Sequence, residues 1–79
     1  MTEIHVSVRT PIGTFESDVD LPEGLNMREV GHRKVVALSI WQLFCAKYPT
    51  EVATQLFDYA GGDPVGFILE TMETRKTGR

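Results

Sequence analysis

A single cysteine in 79 residues excludes an internal disulfide. That scarcity fits a reducing compartment. Two histidines and this one cysteine stand at unrelated spacings, which excludes the common zinc patterns. The glycine pair Gly61-Gly62 runs into Asp63-Pro64. It lacks the lysine of a phosphate loop and sets an acid where phosphate would lie. No apolar run is long enough for a membrane span, because Ser39 and Gln42 interrupt the longest one. The opening Met-Thr-Glu-Ile-His-Val carries neither a basic region nor an apolar core of the secretory kind, so a cytoplasmic protein is expected. Lysine and arginine are missing throughout residues 48–73. Repeats and low-complexity stretches are missing too.

What is present is uneven charge. The formal net charge is −3. Residues 1–26 hold five acids against Arg9, and residues 48–73 hold five acids with no base. Between them, residues 27–47 set Arg28, Arg33, Lys34 and Lys47 against Glu29. Such alternation suits a folded chain whose segments attract each other, or a surface with separate acidic and basic patches. The length predicts one domain over 1–79, close to the size at which a single core is marginal.

The longest regular stretch runs from Asn26 to Tyr48. Asn26 reads as an N-cap, with Glu29 three residues on to complete a capping box. Leu25 and Val30 are spaced as a hydrophobic staple. Pro49 ends the helix. Ala37, Leu38, Trp41, Phe44, Cys45 and Tyr48 share a broad apolar face with Val30, widened by Val36, Ile40 and Leu43. A helix this apolar is expected to be covered on more than one side, by the rest of the chain or by a second copy. Cys45 is expected to be a small buried hydrophobe.

Ahead of the helix, Ile4, Val6 and Val8 alternate with polar residues, as do Phe15, Val19 and Leu21. This predicts an antiparallel hairpin with paired residue numbers summing to 23 and an apolar inner face. Proline cannot take the positive φ of a tight primed turn, so a four-residue loop, Thr10 to Gly13, is expected. After Pro49, the apolar residues Val52, Ala53, Leu56, Phe57 and Ala60 predict a second helix ended by Gly61-Gly62. Asp63 followed by Pro64 predicts the cap and first turn of a third. That third element reads as a helix, with a strand over 66–72 as the alternative. Residues 74–79 read as a frayed tail. The expected fold is α+β, in the order ββααα.

The opening strand, the Thr10-x-x-Gly13 turn, the acidic second strand and the capped helix together resemble the start of a ubiquitin-like β-grasp domain. The likeness covers under half the chain, and residues 49–79 offer no further clear strand. It implies a helix packed across one face of the hairpin.

On the hairpin's other face, Glu16, Asp18 and Asp20 stand in a row about 7 Å apart. Glu3 and His5 lie across from them. This row reads as a contact for a basic surface, and equally as a solvated face whose charge discourages aggregation. Arg28, His32, Arg33 and Lys34 cluster early in the helix, where cations oppose its dipole. They are expected to meet the acidic hairpin or an anionic partner. Catalysis has no support, since His5 faces Asp18 without an activated nucleophile, and no cofactor is expected. The segment Thr50–Met72 has a helix-turn-helix outline, but its second helix offers acids where phosphate contacts need cations, so direct nucleic-acid binding is not expected.

The expected function is therefore non-catalytic protein binding through Glu3, His5, Glu16, Asp18, Asp20, Arg28, Arg33 and Lys34. The partner expected is a larger protein or ribonucleoprotein complex. In size and charge the chain resembles the small inhibitors carried by phages and mobile elements, anti-CRISPRs among them. The alternatives are a homo-oligomeric assembly protein, with a homodimer as its simplest form, and a small helix-turn-helix regulator.

Overall fold

The hairpin forms in the register its alternation dictates. β1 (Thr2–Thr10) and β2 (Gly13–Leu21) pair antiparallel, Ile4 with Val19 and Val8 with Phe15. Every pair sums to 23, because any odd slip would turn the apolar set to water. The loop is shorter than expected. Pairing continues to Thr10 and Gly13, leaving only Pro11 and Ile12 between the strands. Both keep negative φ, and Gly13 takes the departure at φ 129°. The Thr10 hydroxyl closes the turn, donating to the Gly13 carbonyl at 2.6 Å and accepting from the Ile12 N–H at 3.3 Å.

This computed structural model describes residues 2–76. Three helices follow the hairpin: α1 (Val30–Lys47), α2 (Thr50–Tyr59) and α3 (Pro64–Thr71). A short strand, β3 (Glu73–Lys76), then returns to the sheet. It pairs antiparallel with the free edge of β1, giving the order β2-β1-β3. The fold is α+β with the expected ββααα layout, and β3 is added to it. Residues 74–76, expected to fray, lie in this strand, and residues 77–79 lie outside the described residues. Glu73-Thr74-Arg75 carries no apolar alternation to announce a strand. The unpaired N–H and C=O groups along β1 supply the reason for it.

The start of α1 also differs from expectation. Asn26 does accept from the Arg28 N–H, at 3.0 Å, and the Glu29 N–H donates to the Asn26 carbonyl. That single turn stops at Glu29, which is extended at φ −90°, ψ 131°, and the helix begins afresh at Val30. A helix carried back to residue 27 would align Met27 with Leu38 and Cys45 on the solvent side. The break lets Met27 and Leu25 pack against the core instead. Val30, expected as the staple's partner, is 67% exposed.

The core has one centre. Ile4, Val6, Val8 and Phe15 meet Val36, Ala37, Ile40 and Phe44 of α1, with Leu56, Ile68 and Met72 closing the ends. Phe44 holds a ring cluster with Phe15 at 5.5 Å, Tyr48 at 4.7 Å and Trp41 at 5.8 Å between centroids. Only this one face of α1 is covered. Val35, Leu38, Leu43 and Cys45 are exposed, so the rest of the described chain does not wrap the helix, and Cys45, expected to be buried, is open on it. The reason is material: α2 and α3 are short, with 10 and 8 residues, and cannot sheathe an 18-residue helix.

The joints of the helical layer follow their chemistry. Gly61, at φ 69°, ends α2, with the Gly62 N–H donating back to the Phe57 carbonyl at 2.9 Å. Asp63 caps α3, accepting from the Gly66 N–H at 3.0 Å. Replacing Ile40 by Ala is expected to lower unfolding stability by about 2–5 kcal/mol, as a cavity opens at the core's centre. Val35→Ala, five residues away on the open side, is expected to stay within about 0.5 kcal/mol. Urea denaturation of the two variants measures the contrast.

Candidate protein-binding surface

The three strands present their outward residues in rows. One row reads Glu16, Ser7, Glu73 across the sheet, and the next reads Asp18, His5, Arg75. Asp20 and Glu3 begin a third. No described helix covers this face, because α1, α2 and α3 pack on the apolar side. The carboxylates of Glu16, Asp18 and Asp20 line β2, an edge strand. His5 lies along the middle, and Arg75 stands on the opposite edge. A shallow depression of about 230 Å³ lies between β1 and β3, lined by His5, Ser7, Glu16, Glu73, Thr74 and Arg75.

His5 organises the centre of the face. Its Nδ1 stands 2.8 Å from Asp18 Oδ1, and its Nε2 stands 2.8 Å from Glu16 Oε1. Carboxylates only accept, so both ring nitrogens must donate, and the geometry selects the imidazolium. The pKa of His5 is accordingly raised above its ordinary 6.5, first by the bond to Glu16 and then by that to Asp18. The clamp ties two carboxylates of one strand to the neighbouring strand. It also removes His5 as a general base, since neither nitrogen is free and neither bond reaches Ser7.

The expected acidic set is therefore assembled: Glu3, His5, Glu16, Asp18 and Asp20 share one face. The basic set lies elsewhere and is divided: His32, Arg33 and Lys34 stand on α1, whereas Arg28, expected in the helix, lies in the turn before it, because α1 begins only at Val30, and lines a cavity with Ile4, Thr74 and Arg75. Arg33 turns inward and donates from Nη2 to the Leu69 carbonyl at 3.4 Å, near the end of α3 where a cation is favourable. His32 Nδ1 accepts from the Asn26 N–H at 2.8 Å, tying the connecting segment to the first turn of α1. Arg28 and Lys34 are exposed. The helical cluster thus divides among separate tasks and does not pair with the acidic strand. Sequence reasoning missed Glu73 and Arg75, because their place on this face depends on a strand without an apolar signature.

Among the described residues, no group of three or more His, Cys, Asp or Glu side chains is placed to hold a metal ion. No described helix is long and apolar enough to cross a membrane.

The His5 clamp has a definite pH signature. A folded pKa above 6.5 means that its stabilisation is complete below that pH and is lost as the pH rises through the raised value. The NMR titration midpoint of the His5 ring is expected above 6.5, and to fall further in Glu16→Gln than in Asp18→Asn. The stability difference between the wild type and His5→Gln is expected to close as the solution becomes alkaline. Compared with family models, with curated proteins and with solved structures, the chain matches none.

Proposed function

We propose that the protein is a non-catalytic binding module that engages a basic surface of a larger protein or ribonucleoprotein through the outer face of its sheet. The observation that carries this reading is the exposed carboxylate row Glu16, Asp18 and Asp20 on an uncovered sheet face. A row of carboxylates offers what a phosphate backbone offers a basic groove: negative charge and acceptor oxygens at regular intervals. An occluding inhibitor of the anti-CRISPR kind, carried by a phage or mobile element, is the form of this reading that suits so small and acidic a chain. His5 holds two members of the row in fixed positions, which lowers the ordering cost of contact.

Direct nucleic-acid binding fits poorly, because α2 and α3 contain no Lys or Arg with which to meet phosphates. A homo-oligomeric reading has its own support in the apolar side chains left exposed on α1.

Replacing Glu16, Asp18 and Asp20 together by Lys is expected to abolish capture of the partner while the circular dichroism spectrum keeps its shape. Affinity purification with mass spectrometry, run on both proteins, tests this. A partner retained equally by both would end the reading. Capture by the wild type is also expected to weaken as salt is raised, since the contact is between exposed charges.

A further inference from the structure

β2 is an open edge. The sheet order is β2-β1-β3, so among the described strands β2 has a neighbour on one side only. In an antiparallel pair, alternate residues turn N–H and C=O towards the partner strand, and the residues between them turn theirs away. About half of the backbone polar groups of β2 therefore point off the sheet, with no described strand to receive them. Proteins blunt such edges with shortness, proline, a bulge or charge. β2 is nine residues long. It holds no proline, and it pairs with β1 residue for residue without a bulge. The other edge strand, β3, has four residues.

The guard left to β2 is charge, and charge is selective. Glu16, Asp18 and Asp20 are exposed on its outer face at every second residue. That is the repeat of any strand laid alongside. A second copy of β2, antiparallel and with its outer face on the same side, would set carboxylate opposite carboxylate, which is unfavourable. Turned over, it would set carboxylates opposite Ser17 and Val19, on the side where the helices lie. The edge is thus closed to its own kind and open to a strand of opposite charge.

The inner face of β2 adds a second requirement. On β1, Ile4 and Val6 are buried, whereas their partners on β2, Val19 and Ser17, are only half-buried. The apolar cover thins towards this edge and leaves part of Val19 for a neighbour. We propose that β2 takes up an extended segment of a partner protein as a fourth strand. Lys or Arg at alternate positions of that segment meet Glu16, Asp18 and Asp20, and an apolar residue between them meets Val19. His5 holds one oxygen of Glu16 and one of Asp18, and each carboxylate keeps a second oxygen for an incoming cation. The inference rests on the acidic face being the contact and specifies its mode. In strand addition, main-chain hydrogen bonds supply affinity and alternate side chains select the segment.

NMR titration of the isotopically labelled protein with short peptides tests it. The first peptide alternates lysine with valine. Two others keep the same side chains but are N-methylated, one at every lysine and one at every valine. N–H groups alternate in direction along a strand, so only one of these two sets can face β2. The unmodified peptide is expected to protect every second amide within residues 14–20 of β2 from exchange with water. One methylated peptide is expected to bind as the unmodified one does. The other is expected to bind roughly tenfold more weakly or worse, as main-chain hydrogen bonds are lost. Glutamate in place of lysine is expected to abolish binding. Equal affinity of all three lysine peptides would overturn strand addition while leaving a charged contact standing. Equal weakening by both methylations would overturn it too, as would no binding of the unmodified peptide or protection confined to β3. Capture of the partner and its loss on charge reversal do not depend on these peptides, so the two readings fail separately.

Discussion

The structure depends on one contact: the inner face of the hairpin against the line Val36, Ile40 and Phe44 of α1. A two-stranded hairpin is marginal alone in water, and so is an isolated helix of 18 residues. Each becomes stable by removing the other's apolar face from solvent. Val6, Val8 and Ile40 are all but inaccessible, which places the driving force of folding at that seam. The ring cluster around Phe44 extends it towards the carboxyl end of the helix. There Lys47 lies over Phe15 and Tyr48, with Nζ 5.6 and 5.9 Å from the ring centroids.

That seam fixes which surfaces remain for function. A sheet covered on one side has an open face, and its alternation makes that face polar. A helix covered on one side also has an open face, but here it is apolar. The molecule thus shows two unlike surfaces, carboxylate-rich on the sheet and apolar on the helix. They arise from a single cause, the shortage of chain to build a third layer.

The charged groups divide along the same boundary. His5 acts within the sheet, drawing Glu16 and Asp18 onto the middle strand. Arg33 and His32 act within the helical layer, one at the end of α3 and the other at the segment leading into α1. Cations that lie close together along the helix serve different neighbours, because successive residues on a helix point in different directions.

Wherever a residue's preference is local, the sequence already determined the outcome. The hairpin register follows from a period of two. The Gly61 stop and the Asp63-Pro64 start follow from backbone angles and orphan N–H groups that nearby residues satisfy. Pro49 ends α1 for the same kind of reason. Asn26 performs its local chemistry too, but where the helix starts is decided by Met27 seeking the core. Tertiary structure alone chose the buried side of α1, since a helix apolar around most of its circumference carries no periodic preference to read. It alone exposed Cys45 and Leu38, and it alone made a strand of Glu73–Lys76, whose reason lies in the open edge of β1. Local rules act through a few neighbouring residues, whereas these choices depend on which surfaces were left without a partner once the chain had closed.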